Sequence, residues 1–259
     1  MFLLFGILFL AALETNAMKV LLKLLFLVIS HHVFSQFNDT TNYYINYTST
    51  GIINKTNEGN AYVLNNNIKF NIYKKSISLN TANSWIYGEQ QDNLTNNDYV
   101  SNLDLNLFKT KRHIYYWALT TFERSYSLKI NHRLQSGAGV GYYIIDNKNF
   151  VLQVSDGLLY EKSDLYDSEA GNNNYQTIRN SFRIKFRWIL KDIIVLDNTD
   201  FLQHSFKDGD DYIFRSNTNV SVKLRKWLSF TIAVNYNKLN LTKRENLLLN
   251  YGLTMEKYF

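Results

Sequence analysis

The 259-residue chain contains neither cysteine nor proline. Without cysteine there is no disulfide framework and no thiolate metal site. Without proline every residue keeps a backbone donor, so long hydrogen-bonded strands are unobstructed. Glycine is sparse, at 11 residues. Beyond residue 35 no apolar run approaches the roughly 20 residues that a spanning helix needs. Charge of one sign is scarce too. After residues 1–35 the chain holds 26 basic and 21 acidic side chains, a net charge of +5. Nucleic-acid binders concentrate denser basic clusters on one face, so nucleic acid is not an expected partner.

What the chain has in quantity is Tyr (19), Phe (17) and Asn (33). Tyr and Phe favour strands and membrane interfaces, whereas Asn favours turns and polar interiors. Mean hydropathy is only −0.26. A membrane barrel gives that value because half of each strand is polar.

The order of residues is more telling than their number. Leu228, Phe230, Ile232, Val234 and Tyr236 alternate with Ser229, Thr231, Ala233, Asn235 and Asn237. Leu249, Tyr251, Leu253 and Met255 alternate with Asn250, Gly252, Thr254 and Glu256. A period of two is the signature of a strand, whose side chains leave opposite faces in turn. Twelve such segments follow one another between Thr41 and Phe259, with ten to fourteen as the range. Each is longer than the about 9–11 residues that cross a bilayer at a tilt, and far longer than the about 5–6 usual in soluble sandwiches. The expected fold is an all-β, antiparallel, up-and-down transmembrane β-barrel. Tight turns alternate with longer polar loops, among them Glu89–Asn96, Asp164–Asn173 and Ser205–Asp210. An even strand count puts both termini on the periplasmic side.

The first 35 residues read as a signal peptide. Met18-Lys19-Val20 opens a positive region, Leu24–Ile29 is apolar, and Val33-Phe34-Ser35 places small residues before a cut at Gln36. Met1–Ala17 reads as an over-extended start with Met18 the true first residue; an N-terminal anchor is the alternative. The barrel domain is then 36–259 and the address the cell outer membrane. Terminal Phe259 is the expected assembly signal for the barrel-assembly machinery, although Lys257 departs from the usual aromatic pattern.

Lipid-face charge costs about 2–4 kcal/mol near the midplane, so charges on alternating strands must face inward. Along Asn174–Leu190, Ile178, Phe182, Ile184, Phe186 and Trp188 form one face, and Arg179, Arg183, Lys185 and Arg187 the other. Along 211–225, Arg215, Lys223 and Arg225 share the polar face. The strand between, Ile193–His204, has ambiguous parity. Placing Asn198 and Asp200 in the lumen would offset the cations on either side. A solvated interior without a specific ligand is the bland reading of these charges.

Other motifs favour structure over chemistry. Gly137-Ala138-Gly139-Val140-Gly141 runs into the strand Tyr142–Ile145 rather than a helix, which excludes a dinucleotide loop and suggests relief of crowding inside the barrel. His132 and Ser136 lie roughly 13 Å apart on one face, too far for a nucleophilic pair. Asp208-Gly209-Asp210-Asp211 lacks the ligands of a calcium loop and reads as a turn. Tyr43, Tyr44, Tyr47, Trp85, Tyr87, Tyr115, Tyr116, Trp117, Trp188 and Trp227 read as interface girdles. No catalytic residue, cofactor or metal site is expected.

Four segments carry a family resemblance: Gly137–Tyr142, Leu158-Leu159-Tyr160-Glu161, Asp208–Tyr212, and Ser221-Val222-Lys223-Leu224. They resemble the salt-induced outer-membrane protein family, a domain of unknown function expected to form an outer-membrane barrel. Tyr143 stands where that family's pattern suggests a basic residue. The resemblance implies a barrel and a link to osmotic or envelope stress, and brings no catalytic or ligand residue. The expected function is a structural barrel or a narrow polar pore with a basic-leaning lumen that admits a small solute. A surface-binding barrel acting through its loops is the alternative, and an envelope enzyme a weaker one.

The exported chain should begin at Gln36 by mass spectrometry, and deleting Phe259 should lower the membrane-inserted fraction. An intact leader on the inserted protein would refute the first expectation, and unchanged insertion the second.

Overall fold

The computed structural model describes residues 42–56, 59–108, 113–167 and 171–259, so the expected signal peptide lies outside the described residues. Twelve strands follow in order: β1 (Tyr43–Lys55), β2 (Asn60–Lys74), β3 (Ile77–Gln90), β4 (Asn93–Phe108), β5 (Ile114–Ser125), β6 (Ile130–Asp146), β7 (Phe150–Asp167), β8 (Gly171–Leu190), β9 (Ile194–Ser205), β10 (Tyr212–Arg225), β11 (Leu228–Leu239) and β12 (Arg244–Tyr258). Each pairs antiparallel with its sequence neighbours, and β12 returns to β1 to close a barrel. Closure leaves no unpaired edge for hydrocarbon to meet. At the seam the backbone N–H groups of Tyr43 and Phe259 each donate to the other's carbonyl at 2.9 Å. Their rings stack at 5.7 Å.

Alternation decides the faces. On β12, Leu247, Leu249, Tyr251, Leu253 and Met255 are exposed outward, while Asn250 and Thr254 are buried inside. On β8 the outward Ile178, Phe182 and Trp188 are exposed, while Thr177, Arg179 and Ser181 are buried.

The connections are tighter than the sequence suggests. Glu89–Asn96 is not a long loop: β3 and β4 meet in a two-residue turn at Gln91 (φ 49°) and Asp92 (φ 61°). Positive φ at both positions matches the twist of the flanking strands. Asp164–Asp167 and Gly171–Asn173 likewise belong to β7 and β8. Paired strands satisfy the backbone groups that loops would leave to water, so polar composition here marks strand ends.

Three aromatic side chains expected in the girdles point inward instead. Tyr115 and Trp117 are buried on the inner face of β5, opposite Gly141 and Gly139 of β6. A Cβ at Gly139 would stand 2.6 Å from Trp117 Cζ2, and one at Gly141 would strike the Tyr115 ring. Gly157 of β7 faces Trp117 in the same way. The glycine run on β6 is therefore a floor on which two rings lie. Tyr44 also faces inward, donating from its hydroxyl to Glu256 at 3.0 Å.

Overpacking this floor should cost about 1–3 kcal/mol. Gly139→Val should lower the urea midpoint of the folded barrel, and Trp117→Ala in the same background should recover part of the loss. A neutral Gly139→Val would refute the close packing.

Candidate functional site: an ion network inside the barrel

Arg179, Arg183, Lys185 and Arg187 lie on one face of β8, paired with the inward Leu159, Ser155, Gln153 and Val151 of β7. Arg183 Nη1 donates to Asp104 of β4 at 2.9 Å. The two strands are four places apart round the wall, so this bond crosses the interior.

Six inward charges form one connected network, towards the end of the barrel opposite the termini. Arg179 Nε donates to Glu161 Oε2 at 2.7 Å, and its Nη2 to Asp211 Oδ1 at 2.9 Å. Arg133 Nε lies 3.3 Å from Glu161, and its Nη1 donates to Glu123 at 3.2 Å. Arg215 Nη2 donates to Glu123 at 2.5 Å, joining β10 to β5. Gln135 Nε2 donates to both Glu161 (2.7 Å) and Gln203 (3.0 Å), Ser163 Oγ donates to Glu161 at 2.7 Å, and Tyr175 donates to Asp211. Glu161, Arg179 and Arg133 are 0%, 1% and 2% exposed. Desolvation costs several kcal/mol per ion, so charges this deep persist only when alternation of sign and hydrogen bonding offset that cost.

Beyond the network the same end carries apolar packing. Leu128, Ile130, Leu165, Ile213 and Leu239, from opposite parts of the wall, form one buried apolar cluster. Asn246 of β12 donates to Ser127 Oγ at 3.0 Å, tying the wall to the β5–β6 turn. Asp98 fixes that turn by accepting from the hydroxyls of Ser125 (2.8 Å) and Ser127 (2.7 Å).

Towards the terminal end the packing opens. Arg183 lies against the rings of Trp117 (5.6 Å) and Phe201 (5.8 Å). Arg187 pairs with Asp197 at 3.2 Å, and both are more than a third exposed. A cavity of about 350 Å³ is lined by Tyr44, Asn71, Lys148, Arg187 and Tyr258.

Three expected lumen residues lie elsewhere. Asp200 faces outward: it pairs with Ile184 of β8, and Asn198 with Phe186, both on the lipid side. Register ties the parity of β9 to that of β8, and a one-residue slip would have exposed Val195 and Gln203 instead. Asp197, one face over, supplies the counter-charge expected of Asp200. Asn198 donates to Asp200 (3.2 Å) and to Thr218 (3.0 Å), which eases the polar burden on the outer wall. Arg225 stands beyond a register shift, is exposed at the turn and pairs with the outward Leu228, so it leaves the inward row. Lys223, before the shift, pairs with the inward Ser229.

The acids of the network escape a reading of β8 and β10 alone. Glu161 could have been found from the alternation Ser155, Gly157, Leu159, Glu161, Ser163 on β7. Asp211 could not, because it lies in the β9–β10 connection, and only the fold swings it onto Arg179. Its neighbour Asp208 makes the expected turn, accepting from the Asp210 N–H at 2.9 Å. His132 lies 3.8 Å from Asp164, a contact on the outer face of the wall directly behind Arg133 and Ser163.

The model of the family described as "Protein of unknown function, DUF481" matches residues 33–247. Among solved structures, the NanC porin aligns over 84% of this chain and 99% of its own, at 8% identity and TM-score 0.50. The COG4313 outer membrane channel from Pseudomonas putida F1 aligns over 88% and 100%, at 7% identity and TM-score 0.50. The translocator domain of the autotransporter NalP from Neisseria meningitidis aligns over 83% and 87%, at 13% identity and TM-score 0.46. At these identities the likeness is one of fold, that of outer-membrane barrels. No curated relative matches.

Removing one partner from a buried ion pair costs about 3–5 kcal/mol. Glu161→Ala should therefore destabilise the barrel by about that much in urea unfolding. Asp197→Ala, at the half-exposed pair, should cost under about 1 kcal/mol. Equal effects would contradict the difference in burial.

Proposed function

Since the chain belongs to the DUF481 family of proteins of unknown function, membership brings no activity with it, and we propose a structural outer-membrane barrel whose resting lumen is shut. The carrying observation is the buried network Glu123–Arg133–Glu161–Arg179–Asp211, joined by Arg215 from another part of the wall. With the apolar cluster above it, this network fills the cross-section that a permeating solute would need. A role in envelope integrity under osmotic stress fits a barrel of this kind. Export by a cleaved leader, periplasmic termini, and hand-over to the assembly machinery through Phe259 belong to the same proposal.

A narrow polar pore is the second reading. It is favoured by the water-reachable terminal half of the lumen, where Arg187 and Asp197 are partly exposed. The porin and channel among the structural neighbours are named for that activity. The surface-binding reading has lost the long loops it relied on, since Glu89–Asn96 and Asp164–Asn173 are largely strand.

Planar bilayers separate the readings. The wild-type barrel should show no steady conductance, and the double variant Glu161→Gln/Arg179→Gln should raise it at least several-fold. Steady wild-type conductance with a folded, inserted protein would overturn the closed reading in favour of the pore.

A further inference from the structure

The inward charges are not evenly balanced along the barrel. The end opposite the termini holds Glu123, Glu161 and Asp211 against Arg133, Arg179 and Arg215, each in contact with an opposite charge. The middle holds the pair Arg183–Asp104. In the terminal half the cations Lys69, Lys185, Arg187 and Lys223 outnumber the acids Asp197 and Glu256. Asp197 is engaged by Arg187, and Glu256 accepts from Tyr44.

Lys69 and Lys185 project from β2 and β8, six strands apart in a ring of twelve, hence from facing walls. Lys69 pairs with the inward Asn46 and Ala82, and Lys185 with the inward Gln153 and Thr199. Each feels the charges of Asp197 and an arginine, and Lys185 also feels Lys69 across the lumen. Among the described residues neither ammonium group has an ion-pair or hydrogen-bond partner. Lys185 is nevertheless open to water within the wall. The cavity lined by Arg187 and Asn71 lies on the mouth side of the two lysines, one inward position beyond each along its own strand. Two like charges projecting from facing walls lower the energy of any anion that enters between them.

We infer that the terminal half of the lumen is a binding station for a small multivalent oxyanion, held between Lys69 and Lys185 with Arg187 at its entrance. The inference rests on the reading of a barrel shut at its far end, which makes the station a blind vestibule. Lysine supplies non-directional point charge, which suits a compact anion of the phosphate type rather than a planar fork.

The test is titration of the intact, detergent-folded barrel with inorganic phosphate, followed by calorimetry at about 50 mM salt, where exposed charge is weakly screened. Wild type should bind in a single-site isotherm. Lys69→Gln and Lys185→Gln should each weaken binding at least tenfold. Arg124→Gln, on the outer face at the other end, should leave it unchanged. Both lysine variants relieve an unpaired cation, so their folded fraction, read by heat-modifiable gel mobility, should equal or exceed wild type. Absence of phosphate binding by wild type, or wild-type affinity in either lysine variant, would overturn the station. An anionic phospholipid added to the micelles should not compete; competition would assign the lysines to a headgroup and overturn the free-anion assignment. Bilayer conductance of the same preparations reports separately on closure. A conducting barrel that still binds phosphate through these lysines would refute the blind end and leave the station standing.

Discussion

The high cost of taking charge out of water organises this molecule. A barrel of twelve strands has an inner wall too narrow to hydrate every side chain it bears, and this one bears several arginines. Each buried guanidinium must meet a carboxylate, and the carboxylates come from whichever strand can reach: β5 for Arg133 and Arg215, β7 for Arg179, β4 for Arg183. Two of these pairs, Arg215–Glu123 and Arg183–Asp104, join strands far apart round the wall, so they neutralise charge and also brace the barrel across its interior.

That bracing requires room, and backbone supplies it. Gly139 and Gly157 lack the Cβ atoms that would collide with Trp117, so the ring lies flat on the wall and Arg183 packs against it. Apolar rings beside a cation lower its effective dielectric and strengthen its attraction to Asp104. Opposite this crowded sector, β1, β2, β11 and β12 line the interior mainly with Asn, Thr, Ser and small residues, such as Asn67, Thr48, Thr231 and Asn250. The interior is thereby lopsided, with most of the bulk and charge on one side and mainly short polar side chains on the other.

The outer face shows what the lipid tolerates. Asp200 and Asn198 stand among Ile184, Phe186 and Leu196, where an unsatisfied polar group would cost several kcal/mol. Their mutual hydrogen bond and the bond to Thr218 meet part of that demand locally. Asn198 is only 7% exposed, because its apolar neighbours cover it. Charge balance asks for an acid inward on β9 but does not choose between Asp197 and Asp200. Both parities offered an aspartate, so charge could not discriminate between them.

Several features were legible in the chain itself. The alternation on β8, β10, β11 and β12 determined strand, face and the inward row Arg179, Arg183, Lys185, Arg187, because period two leaves no other solution in a membrane. The glycine run announced a close approach, though not which rings would make it. Tertiary structure alone decided the rest. Parity on β9 depends on register with β8, a pairing that no residue of β9 encodes by itself. The partners of the arginines depend on which strands face one another across the closed ring, and Asp211 reaches Arg179 only because a connection folds inward. Local pattern acts over two residues, whereas charge pairing acts over whatever distance the fold removes, and that distance is not written in the order of the chain.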